Sequence, residues 1–176
     1  MINNNLKLRP LRDMERDYKM LEKWYQEEEI YFSFEQRKLN YKEIKEKYFP
    51  RTLKDATIPV YMIEYNKNPI GIVQYQLINS ENQKLYNINC SNCYEIDIFI
   101  GELNMHNKGI GSKAINLLSN FLFEKHHAEL LVMCPLKENT PAIKCYEKCG
   151  FKIKRMFKTN DTIGKLQEYF LMIRKK

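Results

Sequence analysis

The chain has 176 residues, within the range of one domain and long enough to bury a core without disulfide or metal staples. Its 29 Lys and Arg against 22 Asp and Glu leave a net charge of +7, which favours an anionic ligand; the lysines are scattered, and no recognition-helix or zinc-finger pattern points to nucleic acid. No apolar run approaches the roughly 20 residues of a membrane span, and the start MINNNLKLRP lacks the apolar core of a signal peptide, so a soluble, cytoplasmic protein without membrane partners is expected.

The first element, LKLRPL at 6–11, reads as a short alternating strand. Asp13 is placed to cap the helix MERDYKMLEKWYQEEE, on which Met14, Tyr18, Leu21, Trp24 and Tyr25 share a face, and YKEIKEKYF continues the helical region. PVYMIEYNKNPIGIVQYQL at 59–77 sets two runs of branched and aromatic residues around the turn NKNP and predicts a hairpin. The polar stretch NSENQKLYNINCSN reads as a loop. YEIDIFIG at 94–101 then alternates as a strand, with Glu95, Asp97 and Phe99 on one side and Ile96, Ile98 and Ile100 on the other.

From Gly109 onward Ile110, Ala114, Leu117, Leu118, Phe121 and Leu122 recur at helical spacing, and ELLVMC at 129–134 reads as a strand buried on both faces. Together they make a strand, helix, strand unit. In NTPAIKCYEKCGF, Asn139 caps a helix, Pro141 fits its first turn and Gly150 ends it. FKIKRMF and KLQEYFLMIRK close the chain as an antiparallel pair around KTNDTIG. No internal repeat or linker appears, so a single domain over 1–176 is expected.

The five cysteines, at 90, 93, 134, 145 and 149, are odd in number in a chain without an export signal, so reduced thiols and no disulfide are expected. Cys90 with Cys93, and Cys145 with Cys149, are the pairs a four-thiolate zinc site would use. The helical spacing of the second pair argues against it, His106, His126 and His127 show no ligand spacing, and no metal is expected.

HNKGIGSKAI at 106–115 carries the chemistry. Glycines where a strand passes into a helix make an anion site, because the first helical N–H groups have no internal acceptor and the dipole favours negative charge. Gly109 and Gly111 clear the approach, Lys108 and Lys113 add charge, and Ser112 adds a hydroxyl, so a pyrophosphate is the candidate ligand. The triphosphate loop G-x-x-x-x-G-K-[ST] fails on spacing, since His106 and Ser112 stand where it needs glycine and lysine. The dinucleotide fingerprint lacks its third glycine, which is Ala114 here, and an acidic partner downstream.

This loop has the form His-x-x-Gly-x-Gly and resembles the Q/R-x-x-G-x-G/A motif of the GNAT superfamily of acyl-CoA-dependent N-acyltransferases. A second segment of that superfamily, N-x-x-A-x-x-x-Y-x-x-x-G-F, is matched by Asn139, Ala142, Tyr146, Gly150 and Phe151. Within the superfamily the chain is similar to the bacterial aminoglycoside 6'-N-acetyltransferases, from Leu6 onward and most densely from Pro59 to Phe151. The resemblance implies an α/β GNAT fold, with a mixed central sheet of about six to seven strands flanked by about four helices. It implies acetyl-CoA as cofactor and a small-molecule amine as acceptor: the 6'-amino group of aminoglycosides, or else a polyamine, another small molecule or a protein amino terminus. A non-catalytic acyl-CoA-binding module is the alternative outside enzymology, and a monomer or homodimer is expected.

The implied cofactor contacts are Phe99 and Ile100 through their backbone, the loop residues His106, Asn107, Lys108, Gly109, Ile110, Gly111, Ser112 and Lys113, and Asn139, Ala142 and Tyr146. Tyr146 would be the general acid for the leaving thiolate. Asp97 would receive the amine, and an acidic rim would be built by Glu27, Glu28, Glu29, Glu95, Asp97 and Glu168 beside Trp24 and Tyr25. An unperturbed aspartate near 3.9 lies about six units below a lysine-like amine near 10.4, so the first role of Asp97 is electrostatic, with burial or a relaying water needed for deprotonation. The chain departs from these enzymes at Cys134, where they often carry the aspartate of D-P-x-x-x-N, at Ile98, where they often have glutamine, and near YFSF, where a glycine pair is absent.

Overall fold

Branched and aromatic residues alternating on the middle strands give a sheet with two apolar faces, and helices cover both. The computed structural model describes residues 2–3 and 5–176, with side chains from Asn5 onward. In chain order the strands are β1 (Ile2–Asn3), β2 (Leu6–Pro10), β3 (Val60–Tyr65), β4 (Asn68–Leu77), β5 (Cys93–Ile100), β6 (Leu130–Met133), β7 (Lys152–Asn160) and β8 (Leu166–Lys175). The helices are α1 (Glu15–Trp24), α2 (Glu28–Phe34), α3 (Tyr41–Tyr48), α4 (Ser80–Tyr86), α5 (Ile110–Lys125) and α6 (Thr140–Lys148). The strands form one sheet in the order β1-β2-β3-β4-β5-β6-β8-β7, in which β5 and β6 run parallel and the other pairs antiparallel.

One face of the sheet packs on α5 and α6, with Val73, Ile96 and Leu131 against Ala114, Leu118 and Tyr146. The other packs on α1 to α3, where Met62, Ile72 and Phe99 meet Leu21, Trp24, Tyr25 and Tyr48. The alternation on β5 therefore divides as expected: Ile96, Ile98 and Ile100 join the first layer, and Phe99 the second.

Three local expectations are corrected. Asp13 does not cap α1; the N-cap position is Met14, without a side-chain bond, and Asp13 instead accepts from the Tyr18 hydroxyl at 2.9 Å. The stretch read as a loop after β4 contains α4, capped by Asn79 and anchored by buried Tyr86; it and the short α2 raise the helix count to six. Cys90 and Cys93 are joined in a disulfide: the bend at Ser91 and Asn92 sets their Cα atoms 5.9 Å apart, within the span of such a bond. Cys134, Cys145 and Cys149 are free.

Candidate active site

The two parallel strands part company early. Their register runs only from Cys93 opposite Leu130 to Glu95 opposite Val132; β6 ends at Met133, while β5 continues to Ile100. The helix after each strand starts at that same end, so the N-termini of α5 and α6 flank the opening. Open α/β sheets bind their ligands in such a crevice, outside the carboxyl ends of the strands.

The edge of β5 that faces the opening follows from its hydrogen bonds. Cys93 O accepts from Ile78 N at 2.9 Å and Gly101 N donates to Ile70 O at 2.7 Å, with no register shift between them. Odd-numbered residues therefore address β4, and the backbone groups of Ile98 and Ile100 address the opening. This corrects the expectation for Phe99, whose backbone is turned to β4 and whose ring is buried among Trp24, Tyr25 and Phe34. Ile98, not Phe99, turns its backbone to the opening beside Ile100, and the period of two in the strand was the signal for it. His106 Nε2–H donates to the Ile100 carbonyl at 2.7 Å, while its Nδ1 lies 3.5 Å from Glu29 at the start of α2.

Asn107 and Gly109 adopt left-handed conformations, with φ of 59° and 71°, and turn the chain into α5. Gly109 gives α5 no side-chain cap, so the N–H groups of Ile110, Gly111 and Ser112 point out of the first turn. A Cβ on Gly111 would meet only Cys145 Sγ, at an ordinary 3.6 Å, so packing within the protein does not demand glycine there. Lys108 and Lys113 are exposed on either side. Ser112 Oγ pairs with Cys145 Sγ at 3.2 Å; this thiol is pushed down to about 6 by its hydrogen bond with Cys149, then by Ser112 and Lys148. Asn139 caps α6 by accepting from Ala142 N at 3.2 Å, and its amide donates to Ser33 at 3.3 Å.

The carboxylates stand on the opposite face of β5. Asp97 Oδ2 accepts from Gln74 Nε2 at 3.0 Å, and Gln74 Oε1 accepts from Arg51 Nη1 at 2.7 Å. Burial raises the Asp97 carboxyl above its ordinary value, opposed by Gln74, Arg51 and Lys47. Glu95 accepts from the Tyr86 hydroxyl at 2.8 Å and from Gln76 at 3.2 Å, and burial together with Asp97 pushes it up to about 7. Cys134, at the end of β6, lies against this pair; burial and Glu95 raise its thiol. Burial also raises the Tyr146 phenol, with Cys145 and Asp97 adding to the effect, so Tyr146 holds its proton at neutral pH. Gln74, Gln76, Arg51, Lys47 and Tyr86 were not anticipated from the sequence.

The residues expected to form an acceptor rim are placed differently from one another. Trp24 and Tyr25 are 0% exposed and belong to the wall behind Phe99. Trp24 donates to Glu102 at 2.9 Å, and the Tyr25 hydroxyl pairs with that of Tyr48 at 2.7 Å. Glu168 is bound to Lys137 at 2.6 Å and Lys158 at 2.9 Å, which hold it down to about 2, so it brings no free charge. Glu27 is half-buried and precedes α2, while Glu28 and Glu29 are exposed. Among the described residues no group of three His, Cys, Asp or Glu could hold a metal ion, and no helix is long and apolar enough to cross a membrane.

The chain is 27% identical over 150 residues to the aminoglycoside N(6')-acetyltransferase type 1 of Klebsiella pneumoniae, an alignment spanning 84% of this chain and 75% of that one. The protein of the same description from Serratia marcescens matches equally. The solved structure of aminoglycoside acetyltransferase AAC(6')-Ib with coenzyme A and kanamycin has a TM-score of 0.80 at 22% identity, covering 97% of this chain and 95% of its own. Spermidine N-acetyltransferase from Vibrio cholerae, with CoA and spermine, has a TM-score of 0.76 at 23% identity, covering 98% and 96%. These structures establish the fold. The family model described as the acetyltransferase (GNAT) domain matches residues 13–159, around the glycine loop and the parted strands, and the chain belongs to this family of N-acetyltransferases, whose acyl donor is acetyl-CoA.

Proposed function

We propose that the protein transfers acetyl from acetyl-CoA to the 6'-amino group of aminoglycoside antibiotics, acting as a single cytoplasmic domain in antibiotic resistance. The observation that carries this reading is the Asp97 carboxylate, held by Gln74 on the strand that leads into the glycine loop, in a chain whose curated relatives are named for this reaction. Acetyl-CoA supplies the acetyl thioester and a thiolate leaving group. Lys108 through Lys113 bind its pyrophosphate with first-turn N–H groups and lysine charge. Ile98 aligns the pantetheine arm along the edge of β5 left open beyond β6, next to Ile100, whose carbonyl His106 holds, with Asn139 and Ala142 on the far side. Asp97 attracts the acceptor ammonium and, with its carboxyl raised by burial, takes one proton through water, which frees the nitrogen lone pair to attack the thioester carbon; the second proton lost by that nitrogen passes through water to restore Tyr146. Tyr146 gives its proton to the departing sulfur. Glu95 and Glu27 extend the negative side of the acceptor site.

The test is thiol release from acetyl-CoA with kanamycin, tobramycin, spermidine and a peptide amine as separate acceptors. Turnover with the two aminoglycosides is expected, and Asp97→Asn should lower it by roughly 100-fold or more with acetyl-CoA affinity retained. Turnover confined to spermidine or the peptide would overturn the acceptor, and retention of acetyl-CoA without any turnover would make the protein a binding module.

A further inference from the structure

One cation near Asp97 has no part in the chemistry above. Arg51 lies in the 3-10 turn Phe49–Thr52 that follows α3, half-buried. One amide separates it from the reacting centre: Arg51 donates to Gln74 at 2.7 Å, and Gln74 donates to Asp97 at 3.0 Å. Its guanidinium carbon sits 5.1 Å from the centroid of the Tyr48 ring, which holds the group in place. Among the described residues Arg51 forms no ion pair, and Gln74 is the one hydrogen-bond acceptor it meets, although its charge reaches Asp97. Lys47, one helical turn earlier, is different: it is paired with Glu35 and lies 5.6 Å over the same ring.

Arginine carries five N–H donors in a fixed fork and accepts nothing. Beside an amine-receiving carboxylate such a fork acts in two ways. It donates to an oxygen on the acceptor close to the reacting nitrogen, and it repels a second ammonium at that place. We propose that Arg51 is a specificity-determining residue that reads the neighbourhood of the acceptor amine, selecting a hydroxyl or ring oxygen and rejecting a second cation.

The acceptor class that fits is an amino sugar whose reacting amine is surrounded by oxygens. An aliphatic polyamine, with its next charged nitrogen a few methylenes away, does not fit. Repulsion of the wrong acceptor contributes to selectivity as much as attraction of the right one. The inference deepens the aminoglycoside reading and rests on it. The Arg51 interaction is long-range in sequence, joining the turn after α3 to β4 and β5, and no motif announces it.

The experiment compares kcat/KM for kanamycin A, for kanamycin B, which has an amine in place of one hydroxyl on the sugar that bears the 6'-amine, and for spermidine. The protein should prefer kanamycin A over kanamycin B by about tenfold, and Arg51→Met should abolish that preference while raising the relative rate with spermidine. Melting temperature and acetyl-CoA affinity report whether the variant is folded. Should Arg51→Met be unstable, Arg51→Lys carries the same test: it keeps the charge and loses the fork, so kanamycin B stays disfavoured while the rate with kanamycin A falls. Turnover of both kanamycins with a ratio that Arg51→Met and Arg51→Lys leave unchanged overturns the role of Arg51 and leaves the aminoglycoside reading standing. Preference for spermidine, or no turnover of any acceptor, overturns both.

Discussion

Asp97 and Glu95 are two residues apart on one strand and one face, yet their surroundings divide the work between them. Asp97 meets a single amide and two nearby cations, which oppose the effect of burial and favour the charged form that the proposed role requires. Glu95, 7% exposed, meets a phenol and an amide, and burial, then repulsion by the Asp97 charge, pushes it up to about 7 from an ordinary 4.5. The consequence is a pH dependence of stability. Between pH 4.5 and about 7 the folded protein keeps a proton on Glu95 that the unfolded chain releases, so stability falls as pH rises through that window. The loss is on the order of 3 kcal/mol at most. Glu168 acts in the opposite sense and in a different range, since its depressed value of about 2 makes its contribution disappear as pH falls below 4.5. Chemical denaturation at pH 5 and pH 8 should therefore show a decline in the protein that Glu95→Gln flattens; an equal decline in the variant would assign the effect to other groups.

The elements that carry the site differ in how plainly their sequences announce them. Gly101 follows the last residue of β5, and a Cβ there would lie 2.2 Å from the Trp24 ring, so the glycine is needed for α1 to dock. Gly101→Ala should cost about 2–3 kcal/mol by overpacking, read as a lower urea midpoint with an unchanged slope; a neutral effect would mean that Trp24 swings aside freely. The β3–β4 hairpin, α5 and α6 were legible because apolar period, turn residues and caps are local signals. Helix α4 was not: SENQKLY has no apolar stripe, and its helix rests on the Asn79 cap and the burial of Tyr86 against Phe157, a contact from the other end of the chain. Trp24 and Tyr25 were expected beside the acceptor because periodicity, which sets them on one apolar face, does not distinguish a core from a pocket; Phe99 on the facing strand fills the space. Gln74 looked like one polar residue in an alternating strand. Its meaning depends on Arg51, 23 residues earlier, and on Asp97, 23 residues later. The Cys90–Cys93 disulfide was not legible because it depends on the bend that sets the two Cα atoms 5.9 Å apart, a geometry that the spacing alone does not fix.

At the scale of the whole molecule, a charge of +7 acts differently on the two substrates of the proposed reaction. The acyl donor is a polyanion, and both the net charge and the exposed Lys108 and Lys113 draw it towards the glycine loop. An aminoglycoside is a polycation, opposed at long range and attracted only by the acidic groups around Asp97. Raising the ionic strength from about 0.02 M to about 0.3 M shortens the screening length from about 20 Å to about 6 Å, which removes the long-range part and spares contacts within the site. The KM for acetyl-CoA should then rise by roughly threefold, while that for kanamycin stays level or falls. Parallel rises in both would place the acceptor under the local field of Asp97, Glu95 and Glu27, and would mean that the excess lysines lie too far from the acceptor path to be felt. Opposite responses would mean that one surface charge serves the donor at the expense of the acceptor, leaving the carboxylate at the end of the crevice to supply the selectivity that the surface does not.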